Sequence, residues 1–256
     1  MTKMIQIKDL EIGKGMPKIC VPLTSINEEE LCREAKKVKE ALPDLVEWRG
    51  DFFVNLKAPE ACAEMAEKLA KILGDIPLLF TIRTKDEGGN AELSMQEYAK
   101  INETVAAGKH AALVDVEVFG QEAEKKELIK KLQEIGVKVI ASSHDFDKTD
   151  AREILLERFK AMEASGADIL KMAVMPKNKD DVSAIMQVTS EMQKNFTEKP
   201  LVSMSMGEMG LVSRIEGEKF GSSITFASVG AASAPGQIPI QILREKILDI
   251  HEQLHK

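Results

Sequence analysis

The sequence predicts a (β/α)8 barrel, one domain over residues 1–256, with a short N-terminal β-hairpin closing the barrel's N-terminal end. Short β-rich runs alternate with longer amphipathic segments from residue 18 onward, the rhythm of repeated βα units. Eight such units follow one another with connections too short for a second domain, which favours a closed barrel. The competing open, doubly wound sheet would place a GxGxxG turn after its first strand. Here that turn reads SINEEE and contains no glycine.

Ile5–Ile7 and Leu10–Ile12 form the hairpin. The eight strands are then expected at Lys18–Thr24, Leu45–Phe52, Pro77–Thr84, Ala111–Val118, Val137–His144, Ala167–Val174, Pro200–Met206 and Ser222–Ser228. Between them, apolar residues recur at helical spacing. Leu31, Ala35, Val38 and Leu42 make one stripe; Val182, Ile185, Thr189, Met192 and Phe196 a second; Ile240, Leu243, Ile247, Ile250 and Leu254 a third. Ser25 with Glu28, and Asp150 with Glu153, resemble capping boxes. Gly74, Gly108, Gly136 and Gly166 each follow a helical stretch, where a left-handed residue ends a helix at little cost. Pro77 and Pro200 open strands, where a missing N–H does least harm.

With 44% apolar and 30% charged residues, the chain is ordinary for a folded protein and unlike a disordered one. A formal charge of −7 argues against a nucleic-acid partner, although a few local arginines can still recruit a small anion. Cys20, Cys32 and Cys62 form no CxxC pair and lie far from any histidine cluster. Reduced thiols are expected, with neither a disulfide framework nor a metal site. No apolar leader or membrane-length stretch stands out, so the expected location is the cytoplasm and no membrane partner is expected.

In a barrel, functional groups gather at the C-terminal ends of the strands. Glu47 and Arg49 share a face of the second strand, Arg83 ends the third, Asp115 and Glu117 share a face of the fourth, and His144 ends the fifth. Taken alone, Glu47 with Arg49 reads more readily as a structural ion pair, and Arg83 as a solvated loop arginine, than as catalytic groups, and the two carboxylates of the fourth strand often only brace neighbours. His144 is the one histidine at the expected active face, and Asp145 or another carboxylate would fix its tautomer. Lys171 stands inside an otherwise apolar strand. Burial favours the neutral amine, which is a nucleophile toward carbonyls. A salt bridge to Asp115, Glu117 or Glu47 would explain a buried lysine as well, but not the neighbouring imidazole. Amine, imidazole and several arginines together point to imine chemistry on an anionic carbonyl compound. Met204 and Met206 would wall the site, and the segment after them supplies Arg214. Residues 228–237 are a small-residue loop and a candidate lid, with Ser233 and Gln237 as ligand contacts.

These stretches resemble the type I 3-dehydroquinate dehydratases. The resemblance rests on EWRGDFF at Glu47 and Arg49, TIRTKDEGG at Arg83 and Glu87, SSHDF at His144, KMAVMP at Lys171, SMSMGEMGLVSRI at Arg214 and SAPGQIPI at Ser233 and Gln237. They follow the family's order over nearly the whole chain. The resemblance implies dehydration of 3-dehydroquinate to 3-dehydroshikimate by syn elimination, a step of the shikimate pathway, with no metal or organic cofactor. It implies an imine on Lys171, proton transfer by His144 and orientation of His144 by Glu87. It further assigns the substrate carboxylate to Arg214, Ser233 and Gln237, and the ring hydroxyls to Glu47, Arg49 and Arg83. A homodimer is implied by the resemblance alone. The rival reading is a class I aldolase or transaldolase, which shares barrel and imine but commonly binds phosphorylated sugars; GEMG and SVGA would be its phosphate loops. A barrel used only for binding is the third reading, and leaves the clustered lysine, histidine and arginines without a purpose.

Overall fold

The computed structural model describes residues 2–13, 15–230 and 233–256. β1 (Ile5–Ile7) and β2 (Leu10–Ile12) form the expected antiparallel hairpin, with Ile5 opposite Ile12. Then come β3 (Lys18–Leu23), α1 (Glu28–Glu40), β4 (Leu45–Arg49), α2 (Pro59–Leu73), β5 (Leu78–Thr81) and α3 (Met95–Ala107). The alternation continues through β6 (Leu113–Glu117), α4 (Glu122–Ile135), β7 (Lys138–Asp145), α5 (Arg152–Ala164), β8 (Ile169–Val174) and α6 (Lys179–Asn195). β9 (Leu201–Ser205), the short helices α7 (Leu211–Ile215) and α8 (Gly217–Phe220), β10 (Ile224–Phe226) and α9 (Ile240–Leu254) complete it.

Strands β3 to β9 pair in parallel in chain order, and β10 pairs with β3. The barrel is nearly closed. Between β9 and β10 the seam is a single bridge, Leu201 to Ser222, reinforced by the Ser223 amide donating to the Leu201 carbonyl at 2.7 Å. All eight expected strands form; seven are trimmed at one or both ends, and the fifth is shifted by one residue to Lys138–Asp145. The second is cut short because residues 50–52 turn into a 3-10 helix, and the eighth because pairing is confined to Ile224–Phe226.

Period-two alternation explains how an apolar barrel carries a polar mouth. Cys20, Leu45, Leu79, Leu113, Ile140, Ile169, Val202 and Ile224 bury one apolar cluster with Ile5, Ile7 and Ile12 of the hairpin. The hairpin therefore seals the N-terminal end, as expected. Two residues further along the same strands stand Glu47, Thr81, Asp115, Ser142, Lys171, Met204 and Phe226. One more step of two reaches Arg49, Arg83, Glu117, His144 and Met206. The opposite faces, including Trp48, Phe80, Val114, Val139, Leu170 and Leu201, bury a second cluster beneath the helices.

Several local expectations are corrected. α1 is capped by Asn27, whose side chain accepts from the Glu30 amide at 3.0 Å, while the Ser25 amide donates to Glu34. Leu42 lies beyond that helix at φ 53° and is 72% exposed, so it is no part of the stripe. Asp150 caps nothing; it pairs with Lys148 and Arg158. Phe196 ends α6 and is exposed, and Leu254 is exposed at the end of α9. Gly108 keeps a right-handed φ of −66° and Lys109 takes the left-handed turn instead. Gly74, Gly136 and Gly166 do carry the positive φ expected of them. No helix among the described residues is long and apolar enough to cross a membrane.

Candidate active site

A cavity of about 180 Å³ opens at the C-terminal end of the barrel, lined by Lys171, His144, Glu47, Arg49, Arg83, Arg214, Ser233 and Gln237 among others. All the residues expected at the site face it except Glu87, which stands behind His144. A second, larger cavity of about 680 Å³ lies on the far side of His144, Gly88 and Phe146, lined by Glu87, Glu117 and Lys125. The smaller is the candidate chemical site, because Lys171 and Arg214 face it and not the other.

Lys171 comes from the middle of β8 and is 4% exposed. Its Nζ donates to Asp115 Oδ2 at 3.2 Å and lies 3.6 Å from Glu47 Oε1. The salt bridge therefore does form, with two of its three expected partners, and it answers the several kcal/mol an unpaired interior ammonium would cost. The third, Glu117, is taken by Arg83 at 2.8 Å and by the Thr84 amide and hydroxyl. Nζ also sits 4.7 Å from the centroid of the Phe226 ring, within cation–π range. Burial alone would raise the Asp115 carboxyl, but Arg83, Lys171 and the Ser142 hydroxyl together hold it below the usual carboxylate range.

His144 ends β7, and its Nδ1 is 2.8 Å from Glu87 Oε2, the oxygen that also accepts the His144 amide at 3.0 Å. The ring is held by Glu87, not by Asp145, whose carboxylate caps the next turn through the Asp147 and Lys148 amides. Burial drives the imidazole well below its ordinary pKa, and Arg83, Lys171 and Arg49 push it the same way. Burial pushes the Glu87 carboxyl up to about 8; Arg83 opposes that, and Glu117 and Asp115 add to it. The pair thus offers a neutral ring, whose Nε2 has no partner among the described residues.

Arg83 is buried and gripped by Asp115 at 2.9 Å, Glu117 at 2.8 Å, Ser142 at 3.1 Å and Glu87 at 3.4 Å. Arg49 is clamped at both ends by Asp51, at 2.7 and 2.8 Å. Arg214 is different. It is 1% exposed, its Nη2 donates to the Pro235 carbonyl at 2.9 Å, and its Nε is buried with no partner. No carboxylate pairs with it among the described residues, and burial lowers its pKa to about 10. A desolvated guanidinium with no carboxylate of its own is the kind of group that suits an anionic ligand.

The candidate lid folds back over this arginine. The Ser233 amide donates to Gln237 Oε1 at 2.9 Å and Gln237 Nε2 donates to Ser233 Oγ at 3.0 Å. Gly236, at φ 78°, lies so close to Gly207 that a Cβ would come within 2.3 Å of the Gly207 carbonyl oxygen. Residues 231 and 232 of this loop lie outside the described residues. Met204 and Met206 wall the cavity as expected. Sequence reasoning missed Asp51 and Phe226. Asp51 lies within a 3-10 turn that the strand pattern does not signal, whereas Phe226 lies two residues beyond the inward Ile224 and was open to the same period-two reading.

A (β/α)8 barrel with a buried, cavity-facing lysine beside an imidazole belongs to the class of barrels equipped for covalent catalysis on carbonyl compounds. The family model for type I 3-dehydroquinase matches residues 19–254. The chain is 41% identical over 244 residues to the 3-dehydroquinate dehydratase of Clostridium kluyveri, covering 95% of this chain and 96% of that one. It is 41% identical to that of Bacillus subtilis, covering 99% and 98%. The crystal structure of the type I enzyme from Clostridium difficile, with covalently modified comenic acid, superposes with a TM-score of 0.95 at 39% identity, covering 99% and 100%. The chain belongs to the type I 3-dehydroquinase family, and the aldolase and binding-only readings are set aside.

Proposed function

We propose that this chain dehydrates 3-dehydroquinate to 3-dehydroshikimate, the third step of the shikimate pathway, through an imine between Lys171 and the substrate's C3 ketone. One observation supports the assignment of residues: Lys171, His144 and Arg214, which has no carboxylate partner among the described residues, line one cavity of about 180 Å³. Arg214 takes the carboxylate, with Ser233 and Gln237 closing over it, and this fixes the ketone toward Nζ. Glu47, Arg49 and Arg83 hold ring hydroxyls through the donors and acceptors their own ion pairs leave free.

The salt-bridged Lys171 passes one ammonium proton to the neutral imidazole of His144, the freed amine adds to C3, and the same proton returns from His144 to the carbinolamine hydroxyl, which leaves as water and gives an iminium. The iminium withdraws electrons from C2–H, so no metal or organic cofactor is needed as a sink. Asp115, kept ionised by its neighbours, remains beside the new cation as its counter-charge. His144 removes the C2 proton, forming an enamine. Collapse of the enamine expels the hydroxyl on C1, which takes a proton from the imidazolium and leaves as water. Addition of one water to the iminium then releases the enone and restores the amine. One water enters at hydrolysis and two leave, so the net change is loss of one.

Residues 1–256 act together as one catalytic domain. The family resemblance supports a homodimer, which light scattering would test. The acidic net charge of −7 supports an enzyme of small molecules that binds no nucleic acid, and a cytoplasmic location goes with that proposal. The function is tested by adding 3-dehydroquinate and following conjugated-enone absorbance. Absence of that signal with folded protein overturns the assignment.

A further inference from the structure

On the wall remote from the catalytic lysine, three side chains converge that the dehydration does not use. Glu218 projects from α8, and His251 and His255 are four residues apart at the end of α9. His251 Nδ1 lies 2.9 Å from both Glu218 oxygens, and His255 Nε2 lies 3.0 Å from Oε1. The three donor atoms all lie within 4.8 Å of one another. The imidazole rings are 4.4 Å apart, centroid to centroid. Glu218 is the half-buried floor of the cluster at 11% side-chain exposure, while His251 and His255 are 33% and 60% exposed.

We propose that Glu218, His251 and His255 form a binding site for a divalent transition-metal ion of the zinc class, a clip joining α8 to the end of α9. Spacing of four on one helix brings two imidazoles onto one face, which is how a helix chelates a metal. Two imidazoles and a carboxylate are the ligand types that suit zinc, nickel, cobalt and copper better than magnesium or calcium. Zinc bonds of about 2.0–2.2 Å place tetrahedral neighbours about 3.3–3.5 Å apart. The two carboxylate–imidazole contacts of 2.9 to 3.0 Å need to open by a few tenths of an ångström, while the ring nitrogens, within 4.8 Å of one another, come to the same spacing by movement of the exposed imidazole, at little cost. The fourth position faces solvent, where water completes the shell.

The bland alternative is a carboxylate hydrogen-bonded by two histidines near a helix C-terminus, where cations are favoured. It accounts for one imidazolium against one carboxylate. The second ring, its centroid 4.4 Å from the first and its plane tilted by 51°, gains nothing from it that a lysine or arginine would not supply better. Sequence inspection does not reveal the site, because Glu218 is 33 residues from His251 and only the packing of α8 on α9 unites them.

The test is titration calorimetry of the full chain with Zn2+, repeated with His255→Ala and with His251→Gln/His255→Gln. One ion per chain with a micromolar dissociation constant is expected. Loss of an outer-shell partner already weakens metal sites roughly 10- to 100-fold, so loss of the ligand His255 should weaken binding by at least about 10-fold. His255 is exposed, so its replacement leaves the fold intact, and circular dichroism checks this. Cobalt substitution should give the visible absorption of a four-coordinate ion, lost in the double variant. Isotherms that coincide for wild type and double variant, or no binding at millimolar Zn2+, would overturn the proposal. Turnover is not the readout, so failure here leaves the dehydratase assignment untouched.

Discussion

Nδ1 of His144 and the backbone amide of the same residue converge on one oxygen of Glu87, at 2.8 and 3.0 Å. Ring and backbone are thus fixed by a single carboxylate whose own proton is held up to about 8. Above that pH the ionised carboxylate supports the imidazolium that forms when His144 takes the C2 proton; below it that support is discharged. kcat/KM should therefore fall as the pH drops through about 8. Glu87→Gln keeps the shape and an acceptor oxygen but cannot ionise, so this limb should vanish and kcat should drop. A limb that persists unchanged in Glu87→Gln assigns the titration to another group.

Lys171→Met preserves volume and removes the amine, so turnover should be abolished. The cost in stability should stay below the about 3–5 kcal/mol of a stranded buried charge, because Asp115 keeps Arg83 and the Ser142 hydroxyl. Thermal melting and an enone assay on the same sample check both halves. His144→Ala should instead lower kcat by about 10²–10⁴-fold while slow imine formation survives.

Arg214 is the one cavity arginine without a carboxylate partner among the described residues. Charged hydrogen bonds contribute about 1.5–3 kcal/mol each, so Arg214→Ala should reduce kcat/KM by at least about 10- to 100-fold. Gln237→Ala, which loosens the lid, should act chiefly by raising KM. Equal KM values for wild type and Gln237→Ala would place the loop outside substrate binding.

The capping correction predicts a contrast in stability. Asn27→Ala removes the cap of α1 and should cost about 1 kcal/mol. Ser25→Ala should cost far less, since only the Ser25 amide is engaged. Urea unfolding of the two variants distinguishes them.

The barrel was legible because period-two strands and period-3.6 helices alternate without interruption, and the hairpin because its isoleucines match the barrel's apolar floor. The polar mouth followed from the same period: Glu47, Asp115, Lys171 and His144 each stand two or four residues beyond an inward apolar residue. What the sequence left open was pairing. That Lys171 goes to Asp115 and Glu117 to Arg83 depends on strand register, which a linear pattern does not contain, whereas the pairing of Glu87 with His144 was implied by the family resemblance alone. The Glu218 cluster was hidden for a related reason, since helix packing alone brings it together. Caps were misplaced by one or two residues because Ser25, Asn27 and Asp150 all carry side chains able to accept from a helix amide.

The account rests on a covalent bond at Lys171 Nζ, and borohydride reduction during turnover of 3-dehydroquinate tests it directly. Peptide mapping should find one secondary amine per chain, on the peptide containing Lys171, with irreversible loss of activity. An adduct on any other lysine, or none at all in an active sample, would contradict it.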